Sequence, residues 1–346
     1  VVDPSIRFAT TSDGARIACL GIGEGPAVVF ASNIFGDAHS YQIPELYARG
    51  VTDRLVARGR RVFLHDTRGM GASTRSVHDW SLDARVRDLE AAVQLADVQR
   101  FALVGVDHAA PTALAFAARH PHALSHLVLH SPWAAGSARA ALPAARVAMS
   151  VPSASDRAFE IFAQVIAHVV TSFAQPDHGR RLADSIRRAT SAANLAAFYS
   201  TSAAIDITPL LPRVRVPTLV VHEPSFPFST AELSRDVASA IPGAEFLVLR
   251  EHALTSGRHE EFAAAVDDFI RSNAGDSQVM VPSASLTRRE LDVLRLIAAG
   301  RSNRGIADAL SVSERTIARH ITNLYGKIGV TGKAAATAYA MRHSLA

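Results

Sequence analysis

The sequence predicts an α/β chain in two parts: a mostly parallel sheet wound with helices, then a small all-α helix-turn-helix domain. Three observations carry that prediction. Short apolar runs such as AVVFA alternate with amphipathic stretches along most of the chain, the pattern of parallel strands joined by crossover helices. The last sixty or so residues break instead into short segments with helical periodicity. Charge divides the chain at the same place. Residues 285–346 hold ten Arg or Lys against four acids, a net +6 in a chain of net +4, so the preceding 284 residues carry −2.

Taken in order, IRFATTSDGARIACL reads as two strands about a turn at Ser12 to Gly14, the Asp-Gly pair being a strong hairpin signal. Residues 27–31 have the continuous apolar character of a buried parallel strand, followed by the loop SNIFGD. A helix over 44–58 leads to a strand at 61–64 and the loop HDTRGMGAST. Helix 82–96, strand 101–104, helix 112–119 and strand 124–129 continue the alternation. A region rich in Ala, Arg and Ser follows at about 137–207, with helical segments at 138–149, 155–172 and 178–189. Phe159, Ile161, Phe162, Val165, Ile166 and Val169 recur there at helical spacing, most as core and the rest lining a cavity or a partner surface. VPTLVVH at 216–222 is a strand, PGAEFLVLREHALTSG holds the last one, and 260–270 is the closing helix. The Ser, Gly and Pro content of SNAGDSQVMVPSAS marks a linker at 273–284, between domains at 1–272 and 285–346.

The tail parses as short helices. Thr287 with Glu290 forms a capping box before Leu291, Leu294, Ile297 and Ala298, and Gly300 ends that helix. Ser302 or Asn303 caps a second helix with Ile306, Ala307 and Leu310 inward. Ser313 caps a third, whose buried face is Ile317, Ile321, Leu324 and Ile328. Arg315, Thr316, Ala318, Arg319 and Thr322 occupy the start and polar side of this third helix, where a major groove would present base edges. Ser302, Asn303, Lys327 and the N-terminal amides of the second and third helices are placed to hold phosphates, and Asn323 is either a scaffold residue or a phosphate contact. By spacing alone, a solvated basic helical hairpin fits equally well.

Composition narrows the classes. A 48% apolar and 20% charged chain of 346 residues is globular, and its single cysteine excludes an internal disulfide framework. No apolar run approaches a membrane span, and VVDPSIRF lacks the basic-then-apolar pattern of a leader, so the expected location is cytoplasmic. The histidines have no acid or cysteine partners at metal-like spacing, so no metal and no cofactor is expected.

Two resemblances sharpen the reading. L-T-x-R-E at 286–290, G-x-S-N-x-x-I-A at 300–307, S-x-x-T-I-x-x-H at 313–320 and N-L-x-x-K-I-G-V ending at Val330 resemble the LuxR/GerE DNA-binding domains throughout. That resemblance implies a transcription-regulator domain binding double-stranded DNA as a homodimer. Lys333 stands where an Arg is common, which keeps the charge. Asp66, Arg68, Gly69, Gly71 and Ser73 resemble the D-x-R-G-x-G-x-S loop of the α/β-hydrolase fold, with LVGVDHAA at the nucleophile elbow and the VPTLVVH and PGAEFLVLREHALTSG strands following.

That second resemblance implies that the insertion at about 137–207 is a helical cap over the pocket, and it places the candidate site. Gly105 and Ala109 are the small residues a sharp strand-to-helix elbow needs, and Asp107 stands where most relatives carry serine. A carboxylate there can attack carbon, as in haloalkane dehalogenases and epoxide hydrolases, which share the fold. His252 sits where the family histidine belongs, but Phe226 occupies the position of the orienting acid and HSPW offers no alternative carboxylate. Loss of that acid costs about four orders of magnitude in rate in triad enzymes. Ser32-Asn33 replaces the usual His-Gly, leaving the amides of Ile34 and His108 as oxyanion donors. Alternatively, Asp107 and His252 form a charge-assisted pair or grip a polar ligand from two sides. Glu223, Glu251 and Asp206 are the first candidates for a carboxylate within reach of His252.

The residues favour a regulator over an enzyme: a catalytically impaired domain that binds a small, largely apolar ligand through Asn33, Ile34, Asp107, His108, Trp133 and His252, and controls DNA binding in a dimer. The competing expectation is a hydrolase, with Asp107 as nucleophile and His252 as base, fused to a DNA-binding tail.

Overall fold

The computed structural model describes residues 5–35, 37–43, 46–151, 155–171, 176–249, 259–272 and 288–310, with 312–314, 316–318, 320, 321, 324, 332, 333, 336 and 337 beyond them. The chain divides into two compact units, Val1–Ser272 and Asn273–Ala346.

In the first unit the described strands are β1 (Arg7–Thr10), β2 (Arg16–Ile22), β3 (Ala27–Phe30), β4 (Arg61–His65), β5 (Phe101–Val106), β6 (Leu124–His130), β7 (Thr218–His222) and β8 (Glu245–Val248). They form one sheet in the order β1-β2-β4-β3-β5-β6-β7-β8. The hairpin β1–β2 and the β2–β4 pair are antiparallel; every later pair is parallel. The hairpin turns as expected at Gly14, whose φ of 86° suits a residue without Cβ.

The helices before the cap are α1 (Asp37–Ser40), α2 (Tyr47–Ala57), α3 (Leu82–Ala96) and α4 (Ala110–Arg119). The central strands are buried on both faces, and the period of two divides their side chains. Phe101 and Leu103 of β5 join Leu127 and Leu129 of β6 in a cluster with Leu89 of α3 and Leu114 of α4. Ala102, Val104 and Val128 point the other way, against Val51 and Leu55 of α2. This double burial is why the strands read as unbroken apolar runs rather than alternating ones.

Between β6 and β7 lie α5 (Gly136–Ala140), α6 (Pro143–Met149), α7 (Asp156–Val170), α8 (Pro176–Ala189) and α9 (Ala192–Ala203). The helix expected over 138–149 is two helices. Pro143 opens the second, since its fixed φ suits a first turn and its missing N–H cannot continue a preceding one. Helix α9 is additional to the expected segments, its small residues carrying little apolar periodicity. Phe159, Phe162 and Ile166 of α7 are buried in a cluster with Ile34, Met70, Phe226 and Phe228, which seats the cap on the sheet domain. Ile161 and Val165, on the same helix, are exposed instead. After β7, α10 (Ala231–Ala240) and α11 (His259–Ser272) complete the unit; Phe262 and Val266 of α11 close the second face of the sheet.

The second unit contains α12 (Arg288–Ala298) and α13 (Asn303–Ala309), with further helical residues at Glu314, 316–318, 320, 321 and 324. Leu294, Ile297, Ile306, Ala307, Ile317 and Leu324 share one buried cluster, the face the sequence periodicity marks. Ser302 caps α13, its hydroxyl accepting from the Gly305 amide at 3.1 Å. Thr287 and Ile328 lie outside the described residues. No described helix is long and apolar enough to cross a membrane.

Candidate functional site

The elbow forms where β5 ends against α4. Asp107 has φ 45°, a left-handed conformation that costs a non-glycine residue of order 1 kcal/mol and is held by the packing around it. A Cβ on Gly105 would lie 2.8 Å from the Ala113 methyl, so the close approach of strand and helix requires glycine there. The D-x-R-G-x-G-x-S loop is architectural. Asp66 accepts from the amides of His39 at 3.0 Å and Ala72 at 2.9 Å, and Arg68 bridges Asp88 and Asp13 at 2.8 Å each. Burial pushes the Asp66 carboxyl up to about 6.

The sequence offers no sign of the partner Asp107 takes. Arg139, on α5 of the cap, donates from Nε to Oδ1 at 3.0 Å and from Nη2 to Oδ2 at 2.9 Å. Both residues are buried. The guanidinium also lies 5.9 Å from the Trp133 ring and 5.5 Å from that of Phe228, within cation–π range. The residue at the nucleophile position is thus tied by a bidentate ion pair to the cap.

A cleft enclosing, with its open mouth, about 860 Å³ of space lies between cap and sheet. Asn33, Ile34, Asp107 and His108 line it, as do Asp37, Tyr47 and Arg139. Ile166 and Val170 of α7 and Leu182, Phe226 and Phe228 supply apolar wall. Trp133 does not line it. That residue is fully buried behind His108, with ring centroids 5.9 Å apart, and belongs to a smaller recess that, with its open mouth, encloses about 190 Å³.

The oxyanion side is altered beyond what the motif implies. The Ile34 amide, expected as a donor, is taken by the Asn33 Oδ1 at 2.7 Å. The Asn33 amide in turn donates to Asp37 Oδ2 at 3.2 Å, and the Tyr47 hydroxyl bonds Asp37 Oδ1. Burial, only partly offset by the Tyr47 hydrogen bond, pushes the Asp37 carboxyl up to about 7. His108 is buried, and neither ring nitrogen has a hydrogen-bond partner among the described residues. Desolvation, with the Arg139 and Arg85 charges, holds it well below the usual histidine range, so the ring is neutral.

Phe226 packs against His130 at 5.8 Å. Glu223 is buried, 3.2 Å from His130 Nε2 and accepting from the Ser225 hydroxyl at 3.1 Å. Asp206 accepts from the Thr208 amide at 2.9 Å on the surface. His252 and Glu251 lie outside the described residues. Among the described residues no cluster of His, Cys, Asp or Glu could hold a metal ion.

In the second unit Ser302, Asn303 and Ala318 are exposed, and Thr316 is half-buried with its hydroxyl 2.8 Å from that of Ser313. Arg315, Arg319, Thr322, Asn323 and Lys327 lie outside the described residues.

A family model described as "Bacterial regulatory proteins, luxR family" matches residues 284–340, and one described as "alpha/beta hydrolase fold" matches residues 26–251. The chain is similar to the transcriptional regulatory protein LiaR of Bacillus subtilis (strain 168), at 42% identity over 65 residues covering 19% of this chain and 31% of the relative. It is also similar to the nitrate/nitrite response regulator protein NarP of Escherichia coli (strain K12), at 41% over 76 residues, 22% of this chain and 35% of that one. The chain thus spans about a third of the length of these relatives. Among solved structures, an esterase from Exiguobacterium antarcticum superposes with a TM-score of 0.65 at 16% identity, covering 76% of this chain and 98% of that one. The enol-lactonase from Burkholderia xenovorans LB400 gives 0.62 at 21%, covering 77% and 100%. At these identities the likeness is one of fold. The chain belongs to the α/β-hydrolase fold family, and its C-terminal segment is a LuxR/GerE-type helix-turn-helix.

Proposed function

We propose that this protein is a DNA-binding transcriptional regulator whose α/β-hydrolase-fold domain binds a small, largely apolar ligand without turning it over, and so controls DNA binding by a homodimer. The observation that carries the reading is the Asp107–Arg139 pair. A carboxylate that attacks carbon needs a free oxygen directed at the substrate, whereas both Asp107 oxygens accept from a buried guanidinium. The apolar wall above it, with a few convergent polar groups, has the make-up of a ligand site. On the output side, the basic tail and the regulatory roles in the names of LiaR and NarP support a DNA target. Arg315, Thr316, Ala318, Arg319 and Thr322 would face base edges, and Ser302, Asn303, Asn323 and Lys327 would hold phosphates.

A ligand acts only by binding one arrangement of the dimer better than the other. The experiment is to select DNA sites from a random library with the full chain, screen compounds by thermal shift, and measure DNA affinity with and without each binder. Affinity that changes with ligand supports the reading. Affinity identical for every compound that demonstrably binds the first unit sinks it.

The second reading, a hydrolase acting through an aspartyl ester, is favoured by the retained elbow conformation of Asp107. It requires Arg139 to release the carboxylate. Mass spectrometry of a His252→Ala variant incubated with haloalkanes, epoxides and esters would then show a covalent adduct on Asp107.

A further inference from the structure

The smaller recess behind the elbow is a place the proposed function does not use. His108, Arg139 and Tyr199 border both it and the main cleft, while Trp133 and Ser202 face the recess alone. Several of its buried polar atoms have no hydrogen-bond partner among the described residues. Among the described residues the Trp133 indole N–H, which can only donate, has no partner, and neither does either nitrogen of His108. Arg139 spends Nε and Nη2 on Asp107, and its Nη1 makes no hydrogen bond among the described residues.

A second buried guanidinium acts on His108 as well. Arg85 is buried, donates to the Ser202 hydroxyl at 3.0 Å and the Phe198 carbonyl at 3.4 Å, and leaves Nε unpartnered. It has no ion pair among the described residues; Asp88, whose charge acts on it, is bonded to Arg68. Arg139 and Arg85 thus both act on His108, and of the two only Arg139 is paired directly with a carboxylate among the described residues. An unpaired donor or charge in a dry interior is costly, and an anionic acceptor would relieve several at once.

We propose that the recess between His108, Trp133, Arg139 and Tyr199 receives the carboxylate of an organic acid whose apolar body fills the main cleft. This rests on the ligand-binding reading above and names its ligand class. The carboxylate accepts from Trp133 Nε1, from one His108 nitrogen in its N–H form and from Arg139 Nη1, so Asp107 keeps its own partner.

The test is calorimetric titration of the full chain with octanoate and 4-phenylbutyrate, each beside its primary amide. The acids are expected to bind at least about tenfold more tightly than the amides, the scale of a charge-assisted hydrogen bond. Trp133→Phe, which deletes the N–H and keeps a ring, is expected to weaken acid binding about tenfold and leave the amides within about twofold. Ala203→Leu, which fills the recess from α9, removes the acid preference independently should Trp133→Phe fail to fold. Equal binding of acids and amides, or no acid binding up to about 1 mM, overturns the proposal and leaves the sensor reading to its own compound screen. Acid-selective binding with unchanged affinity for the selected DNA sites upholds the recess and defeats the sensor reading.

Discussion

Asp107 and Arg139 show how one substitution at an elbow changes what a cavity can do. A buried ion pair adds little net stability, but removing one member strands the other at a cost of about 3–5 kcal/mol. Asp107→Ala is expected to lose that much in urea unfolding, and Asp107→Ala with Arg139→Met to recover at least half of it. A double variant no more stable than the single one would show that the two side chains are not coupled. Asp37 provides a second residue-scale prediction. Its folded carboxyl sits near 7, against an ordinary value of 3.8. Between those values the folded chain holds a proton that the unfolded chain has lost, so this group's contribution to stability falls as pH rises through the window. Asp37→Asn cannot ionise. Its thermal midpoint, relative to the unaltered chain, should therefore climb from about pH 4 to above about pH 7. Parallel midpoints at both ends of that window would refute the assignment. The Asp107 position was legible in the sequence because an elbow demands small neighbours; Asp37 and Tyr47 were not, since neither belongs to a motif.

Elements were legible where their pattern is local. Helix α3 runs over the residues its periodicity marks, with Ser81 accepting from the Ala84 amide at 3.1 Å as N-cap. The cap departed from expectation where proline chemistry intervenes at Pro143 and where α9 lacks an apolar stripe. Packing between elements can also override propensity. Gly50 lies inside α2, where alanine would ordinarily gain about 1 kcal/mol. Yet a methyl there would stand 1.9 Å from His259 Cδ2 and 2.6 Å from its Cγ, on α11. Gly50→Ala is therefore expected to destabilise by about 1–3 kcal/mol in denaturant unfolding, the usual cost of overpacking. A gain in stability would mean that α2 and α11 separate freely.

At the scale of the whole molecule, charge is segregated: +6 on residues 285–346 and −2 on the rest. A polyanion is attracted to the former alone, so association with DNA should weaken steeply with salt. For about five phosphate contacts, affinity should fall about 10²–10³-fold between 50 and 200 mM salt, as counterions are released. Fluorescence anisotropy with the selected sites measures this, and a nearly flat dependence would remove the electrostatic basis for placing DNA on the tail.

By itself the sequence determined the succession of strands and helices, the basic tail with its helix-turn-helix register, and the glycine-flanked aspartate at the turn after β5. Each is a property of a short window, because periodicity, capping and turn chemistry act between near neighbours. Only the tertiary structure decided which groups Asp107 and Trp133 meet. Arg139 lies 32 residues from Asp107 in the chain, in an alanine-rich stretch with nothing to mark it, and it reaches the elbow because the cap folds back over the sheet. Burial, a property of the assembled fold, then holds the proton on Asp37 and the neutral ring of His108.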